Sequence, residues 1–470
     1  MLHYTSGTDA IVYSALVCPV HGRPLEARDD HLACEAGDIF PLIDGVAILV
    51  EGVEVEPQPE PPAEAVVDQI MTAFDMPADK RAAVAAVFRN DFRFVEDWLQ
   101  VEADQFLHRI AASHEGLRDA LDIERKPLAA RSVNVDPALR IETIFTLAHL
   151  RPDSVATINV RVENLGQSAL SSNHPQPIML AYHWFDADGG VEEGHRTKLL
   201  DDLAPGQAMT VPMFISTPVR PGRYRLRLRA LQEGVCWFEN SEVELAVEIG
   251  DGASAIDEPA WPRTTNQFDY FHDHQEALRL IRQWRVELFH RPVDLIVELG
   301  GNASPMLLQI EEGQRYNVDV DPFGMIMGKL RHGPAQPSLN YIVADGMALP
   351  FKPRAIDMLM MFATFHHFPD PIGLLSRLAE FVADDGLLCL MCEPIGHPHA
   401  DFVDAGYVAE LRRGVNEQSF ELWEYQQMFD AAGLEVVVAQ IDVGSAKVAL
   451  RPRRHERVFW GGATNPNALD

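Results

Sequence analysis

Two groups of side chains in this chain have the types and spacing of reactive chemistry. The larger lies in the C-terminal half. Glu298-Leu-Gly-Gly-Asn-Ala-Ser304 follows an apolar run, and its small residues let the backbone approach a ligand closely. Asp319 comes 21 residues after Glu298, where a carboxylate can accept hydrogen bonds from ribose hydroxyls. Asp345-Gly346 comes next, and Asp345 can accept from an adenine amino group. The stretch from Phe362 to Phe368 carries His366 and His367, candidates for a general base. Glu393, His397, His399, Asn416 and Glu417 add polar groups for acceptor binding or proton transfer. The smaller group is N-terminal: Cys18, His21 and Cys34, residue types that ligate metal.

The larger group needs a framework that brings distant residues together, and the apolar pattern supplies one. A helical stretch, about His274 to Phe289, precedes the apolar run Asp294-Leu-Ile-Val-Glu-Leu-Gly300. Further strand-like runs begin at Arg315, Asn340, Ile356 and Gly386, and two more, from Leu434 and Ala446, close the series. Alternating helix and strand predicts a doubly wound, mostly parallel sheet, covered on both faces, with an antiparallel hairpin at one edge. Ligands of such sheets bind beyond the C-terminal ends of the strands, where the candidate residues lie. Cys389 and Cys392 fall in an apolar strand, where residues three apart point to opposite faces, so both read as packing rather than a redox pair.

The rest of the chain divides into four stretches. Residues 1–50 read as short strands and turns. Residues 51–62 (EGVEVEPQPEPP) form an acidic, proline-rich linker. Residues 63–129 have helical spacing. Residues 130–250 change to period two, with Gly- and Pro-containing turns between the runs, which predicts an antiparallel β-sandwich. The sheet-forming C-terminal domain then spans 268–455.

The C-terminal stretch, over about 274 to 450, resembles the class I S-adenosylmethionine-dependent methyltransferases. The resemblance rests on the glycine loop, an acidic residue ending the next strand, Asp345-Gly-Met-Ala-Leu-Pro-Phe351 and Phe365-His-His-Phe368. It implies S-adenosylmethionine contacts at Glu298, Gly300, Gly301, Asn302, Asp319, Asp345, Gly346 and Phe362. It also leaves His366, His367, Glu393 and His397 as the candidates for catalysis. Asn302 and Ser304 replace two glycines of the family's loop, and asparagine is a residue that readily adopts φ > 0, so the turn is expected to form.

The N-terminus resembles zinc-ribbon domains of the tRNA-methyltransferase-activator type, through Cys18-Pro-Val-His21, Cys34 and Phe40-Pro-Leu-Ile-Asp-Gly-Val46. That pattern puts Gly37 where a fourth ligand belongs, with Asp38 and His31 off the usual spacing. The expectation is a ribbon that has lost its metal, and zinc is not expected. Residues 135–250 loosely resemble sandwich domains of polysaccharide-export and glycan-modifying proteins. The resemblance implies a glycan-binding or docking module, against which stands a spacer with Trp184 and Trp237 in its core. Arg223, Arg225, Arg227 and Arg229 share one strand face that an anionic glycan could use.

Thirty-nine basic against 70 acidic side chains give a net charge of −31, which disfavours a nucleic-acid partner. The absence of a long apolar run or basic-apolar leader predicts a cytoplasmic protein with no membrane span. Together these features predict a methyltransferase for a small molecule or a glycan precursor, as in polysaccharide biosynthesis. The alternative is an inactive methyltransferase-like protein whose sandwich binds glycan or a partner protein.

Overall fold

The computed structural model describes residues 13–50, Ala78, 138–250, 270–398 and 405–453, apart from Ser14, Asp29, Asp44, 173–176, Gly234, Arg413 and Val443. The linker expected at 51–62 and the helical segment at 63–129 (Ala78 aside) lie outside these residues, as does His399.

The N-terminal stretch is a meander of β1 (Leu25–Ala27), β2 (His31–Cys34), β3 (Ile39–Ile43) and β4 (Val46–Ile48). The middle stretch holds β5 (Leu139–Thr143), β6 (His149–Leu150), β7 (Val155–Asn164), β8 (Ile178–Phe185), β9 (Val191–Lys198), β10 (Ala208–Ser216), β11 (Gly222–Gln232) and β12 (Cys236–Ile249). The C-terminal stretch begins with α1 (Tyr270–Leu288), β13 (Leu295–Leu299), β14 (Gln314–Asp319), α2 (Pro322–His332) and β15 (Leu339–Val343). It continues through β16 (Ile356–Phe362), α3 (Pro371–Phe381), β17 (Val382–Pro394), α4 (Ala405–Arg412), α5 (Leu422–Ala431), β18 (Leu434–Asp442) and β19 (Ser445–Pro452).

Every residue of β13, β15 and β16 is buried, as expected for parallel strands covered on both faces. Successive residues divide between two cores. Ile296, Met358, Met360 and Leu387 pack with Leu278, Ile281 and Trp284 of α1 on one face. Val297, Leu359, Met361 and Leu388 pack with Leu374 and Leu378 of α3 and Met428 and Phe429 of α5 on the other. Local signals agree with these elements. Asp370 caps α3 by accepting from Gly373 N, with Pro371 in the first turn, and Glu421 and Glu424 form a capping box on α5.

The sheet order is β1-β2-β3-β4-β15-β14-β13-β16-β17-β19-β18. From β13 the chain moves outward through β14 and β15, then returns to the other side of β13 with β16. The hairpin β18–β19 is antiparallel and lies at one edge. The opposite side departs from the expectation of a separate N-terminal module. Strand β4 pairs in parallel with β15, Ala47 against Ile342, and Leu49 N donates to Val343 O at 2.8 Å. Val46 and Ile48 sit in the same core as Leu339 and Val343. The ribbon is thus a continuation of the large sheet, bonded to an edge that a bare β15 would leave unpaired.

In the middle stretch, a three-stranded sheet (β10-β7-β5) and a five-stranded sheet (β6-β12-β11-β8-β9) share one core. Along β11, Leu226, Leu228 and Ala230 point inward and the arginines outward. Trp184 on β8 is buried and donates from Nε1 to Ser216 O on β10 at 2.9 Å, which ties the two sheets together. Trp237 is only partly buried, with the guanidinium groups of Arg196 and Arg229 over its ring. Three of the four outward arginines are already paired: Arg225, Arg227 and Arg229 meet Glu242 and Glu244 on the neighbouring β12. Among the described residues, no helix is long and apolar enough to cross a membrane.

Candidate functional site

The reversal of strand order between β13 and β16 opens a crevice at their C-terminal ends, the place where open α/β sheets bind ligands. Gly300 lines it with φ 83°, and a Cβ there would lie 2.2 Å from Thr364 Cγ2. Only glycine lets the first loop close against the end of β16. Asn302 has φ 42°, the left-handed conformation, and its side chain adds a bond there that glycine could not make. Its Nδ2 donates to Asp321 Oδ2 at 2.9 Å, while its backbone N donates to Asp319 Oδ2 at 3.0 Å. Gly301 is equally confined, since a Cβ would come within 2.4 Å of Asn317 Oδ1.

Asp319 is half-buried at the end of β14, and its other oxygen accepts from Asp321 N at 3.0 Å. Burial, with the nearby Asp321 charge, pushes its carboxyl upward, against hydrogen bonds from Asp321, Asn302 and Val320 that favour the ionised form. Asp345, at the end of β15, is exposed, and one oxygen accepts from Met347 N at 2.9 Å. Gly346 is buried against Leu299 and Phe368, and the Phe362 ring stands edge-on to His274 of α1, centroids 5.1 Å apart.

Glu298 is a different matter. It was expected at the ligand, yet it is 2% exposed and turned inward. Its two oxygens accept from Met306 N and Leu307 N at 3.0 and 2.9 Å, so it shapes the loop from below. Burial pushes its carboxyl up to about 7.

The fourth and fifth strands converge on a polar cluster. Opposite β19, Leu390 pairs with Val448 but Glu393 with Ala446, so β17 has one residue too many and bulges. Cys392 takes φ 60° at this bulge, and Ala363 takes φ 45° at the end of β16. The bulge also resets the alternation: Cys389 and Cys392 lie in the same core rather than on opposite faces. It turns Glu393 beneath the 364–366 backbone. Glu393 Oε1 accepts from Thr364 N and Phe365 N at 3.1 and 3.0 Å. Oε2 accepts from His366 N at 3.1 Å and bonds His366 Nδ1 at 2.7 Å.

On its other side, His366 Nε2 lies 3.4 Å from Glu417 Oε1, and His367 Nδ1 lies 3.2 Å from Glu417 Oε2. Burial alone would lower the His366 pKa, but the Glu393 and Glu417 carboxylates outweigh it and raise it to about 10. Burial would raise Glu417; bonds from His366 and His367 overcome it and hold it at about 2. His366 therefore carries its proton at neutral pH in this arrangement. Both of its ring nitrogens face carboxylates, so in this arrangement neither is open to take a proton from an acceptor. Glu393, its four bonds directed at backbone and imidazole, positions His366.

His397, another catalytic candidate, faces away from this cluster. It is buried against the middle stretch, with Nε2 2.7 Å from Glu424 and Nδ1 accepting from Thr157 N at 3.1 Å. It joins the two stretches. The same strand, β7, reaches the cluster at a second point: Asn159 Nδ2 donates to Glu417 O at 2.6 Å and Asn416 Oδ1 at 3.2 Å. Asn416 in turn donates to His367 O at 3.2 Å. Sequence reasoning missed Asn159 and Asp321. Only Asp321, before Pro322, carried a signal, that of a helix start.

At the ribbon, Cys18, His21, Cys34 and Asp38 bring four potential ligand atoms within 4.8 Å of one another. Asp38 supplies the donor that spacing assigned to Gly37. Its Oδ2 accepts from Cys18 Sγ at 3.0 Å and lies 2.6 Å from His21 Nδ1. Burial and the Asp38 carboxylate push the Cys18 thiol up to about 11.

A family model described as a methyltransferase domain matches residues 299–390. Similar solved structures include the complex of the Haloferax volcanii Trm112 methyltransferase activator with a methyltransferase, at 16% identity. That match covers 39% of this chain and 91% of that one, with a TM-score of 0.32. YcgJ from Bacillus subtilis is 19% identical over 36% of this chain and 72% of its own, with a TM-score of 0.30. A SAM-dependent methyltransferase from Aquifex aeolicus is 17% identical over 39% and 98%, with a TM-score of 0.28. No curated protein matches the chain in sequence. The family match, which spans the crevice from β13 into β17, supports a class I S-adenosylmethionine-dependent methyltransferase domain in the C-terminal stretch.

Proposed function

We propose that the chain transfers a methyl group from S-adenosylmethionine to a small-molecule acceptor, a sugar or glycan precursor being the favoured class. The observation that carries this reading is the crevice between β13 and β16. There Gly300 and Gly301 close the first loop while Asp319 and Asp345 stand at the ends of adjacent strands. These residues fit the cofactor. Asp319, partly exposed, retains lone pairs for ribose hydroxyls, and exposed Asp345 can accept from the adenine amino group. When bound, the cofactor supplies an electrophilic methyl group.

The chain's own residues then hold the acceptor in line, which accounts for most of what methyl transfer requires. His366, bonded to Glu393 through one ring nitrogen and facing Glu417 with the other, fixes the polar wall beside the crevice. His367 is the more open of the two histidines, its side chain 35% exposed. Calorimetry with S-adenosylmethionine tests the reading, and Asp319→Ala should weaken binding at least tenfold. No heat of binding at near-millimolar cofactor would defeat it.

A further inference from the structure

We propose that His366, His367 and Glu417 bind one divalent transition-metal ion, which presents two adjacent oxygens of the acceptor to the crevice. One ring nitrogen from each histidine and one oxygen of Glu417 lie within 4.8 Å of one another. The separations from Glu417 to His366 and His367 are 3.4 and 3.2 Å. Ligands bonded at about 2.0–2.1 Å in a tetrahedral site stand roughly 3.3 Å apart, so small movements admit an ion. Two imidazoles and a carboxylate are donors for zinc- or iron-type ions, and three ligands leave positions for an oxygen ligand.

The surroundings favour a metal site over a simple ion-pair cluster. A histidine that ligates metal through one nitrogen characteristically gives its other N–H to a carboxylate. Glu393 takes that role, bonded to His366 Nδ1 at 2.7 Å and anchored by three backbone N–H groups. Charge points the same way. Two carboxylates, Glu393 and Glu417, meet around the imidazoles in a largely buried place, and a divalent ion would balance them.

Position supplies the third argument. Thr364 packs against Gly300 and Phe368 against Gly346, so the cluster adjoins the loops assigned to the cofactor. Left-handed backbone at Ala363 and Cys392 flanks it on both strands, and such strain collects at functional sites. The acceptor class, a diol or another molecule with adjacent oxygen donors, rests on the methyltransferase reading. The metal site does not.

The test uses the full chain carrying Cys18→Ser and Cys34→Ser, which removes the ribbon thiols, stripped with chelator and titrated with Co2+. One equivalent should bind with a visible spectrum free of thiolate charge transfer. His367→Gln and Glu417→Gln should each weaken binding at least about tenfold, as loss of a metal's supporting ligands does. Adding 3,4-dihydroxybenzoate should alter the cobalt spectrum. Absence of bound cobalt, or binding indifferent to both substitutions, overturns the proposal; an unchanged spectrum with the diol overturns its acceptor half. His367 is partly exposed, so His367→Gln carries the test if Glu417→Gln unfolds. S-adenosylmethionine calorimetry on the metal-free protein is read separately and bears on the methyltransferase reading alone.

Discussion

The ribbon and the strand ends each gather four groups of metal-binding type, yet the two places are built differently. At the ribbon, Cys18, His21 and Asp38 sit on the loops and Cys34 at the strand end of a small meander, and Asp38 is shared by a thiol and an imidazole. At the strand ends, Glu393 is locked by backbone N–H groups before it meets His366, and Glu417 is held by a residue of another sheet. The ribbon cluster lies beyond β4, at the side of the sheet. The other lies at the reversal of strand order, beside the loops that close on a ligand. Residue type alone does not separate them. What separates them is the amount of framework committed to fixing each side chain.

The comparison fails most visibly if Glu393 is dispensable. Glu393→Ala leaves the buried His366 without its main counter-charge and three backbone donors without an acceptor. Urea unfolding should show a loss of about 3–5 kcal/mol. A loss below about 1 kcal/mol would make the strand-end cluster no more rigid than the ribbon.

Glu298, across the crevice, sharpens the contrast because it is buried with no cation beside it among the described residues. Its carboxyl is raised from 4.5 to about 7, so the folded state holds the proton more tightly than the unfolded state. That stability is fully present below pH 4.5 and is lost as pH rises through 7. The loss is about 3 kcal/mol. Glu298→Gln should flatten the decline between these limits in pH-dependent denaturation; an unaltered slope would refute this account.

The ribbon, with Asp38 as fourth donor, is expected to answer to zinc. An excess of about 100 times Kd should add about 2.7 kcal/mol of stability, seen as a higher melting temperature. Cys18→Ser should abolish that rise without changing S-adenosylmethionine affinity. The smallest effect is expected at the contact between sheets. Asn159→Ala removes the bonds to Asn416 and Glu417 and should cost about 1 kcal/mol, measured by denaturation. A change of cobalt affinity in the same variant would show that β7 helps to place Glu417.

The parallel sheet was legible because Leu295–Leu299 and Ile356–Phe362 are apolar apart from one carboxylate each, Glu298 and Asp357, and its edge hairpin because Leu434–Asp442 and Ser445–Pro452 follow without a helix between. Asp319 and Asp345 were legible as strand-end carboxylates, since such positions follow from where each apolar run stops. Glu298 ends a strand too, and period two could not tell that its side chain turns back under the loop. The bulge at Cys392 was invisible. It is one residue of excess against a partner strand more than 50 residues away, and it decides where Glu393 points. The pairing of β4 with β15 and the reach of Asn159 to Glu417 are likewise contacts between distant segments, which no local pattern encodes.

The pairing of Ala47 with Ile342 also bears on how the chain is made. The two residues are 295 positions apart, and at about 5–20 residues per second β4 leaves the ribosome roughly 15–60 s before its partner. In that interval the middle sheets can collapse while Val46 and Ile48 wait, exposed, for a strand not yet synthesised. Folding of the C-terminal stretch is then tied to a segment synthesised 295 residues earlier rather than to its neighbours. A fragment beginning at Tyr270 would meet the same difficulty from the other side, with β15 an open edge inviting aggregation.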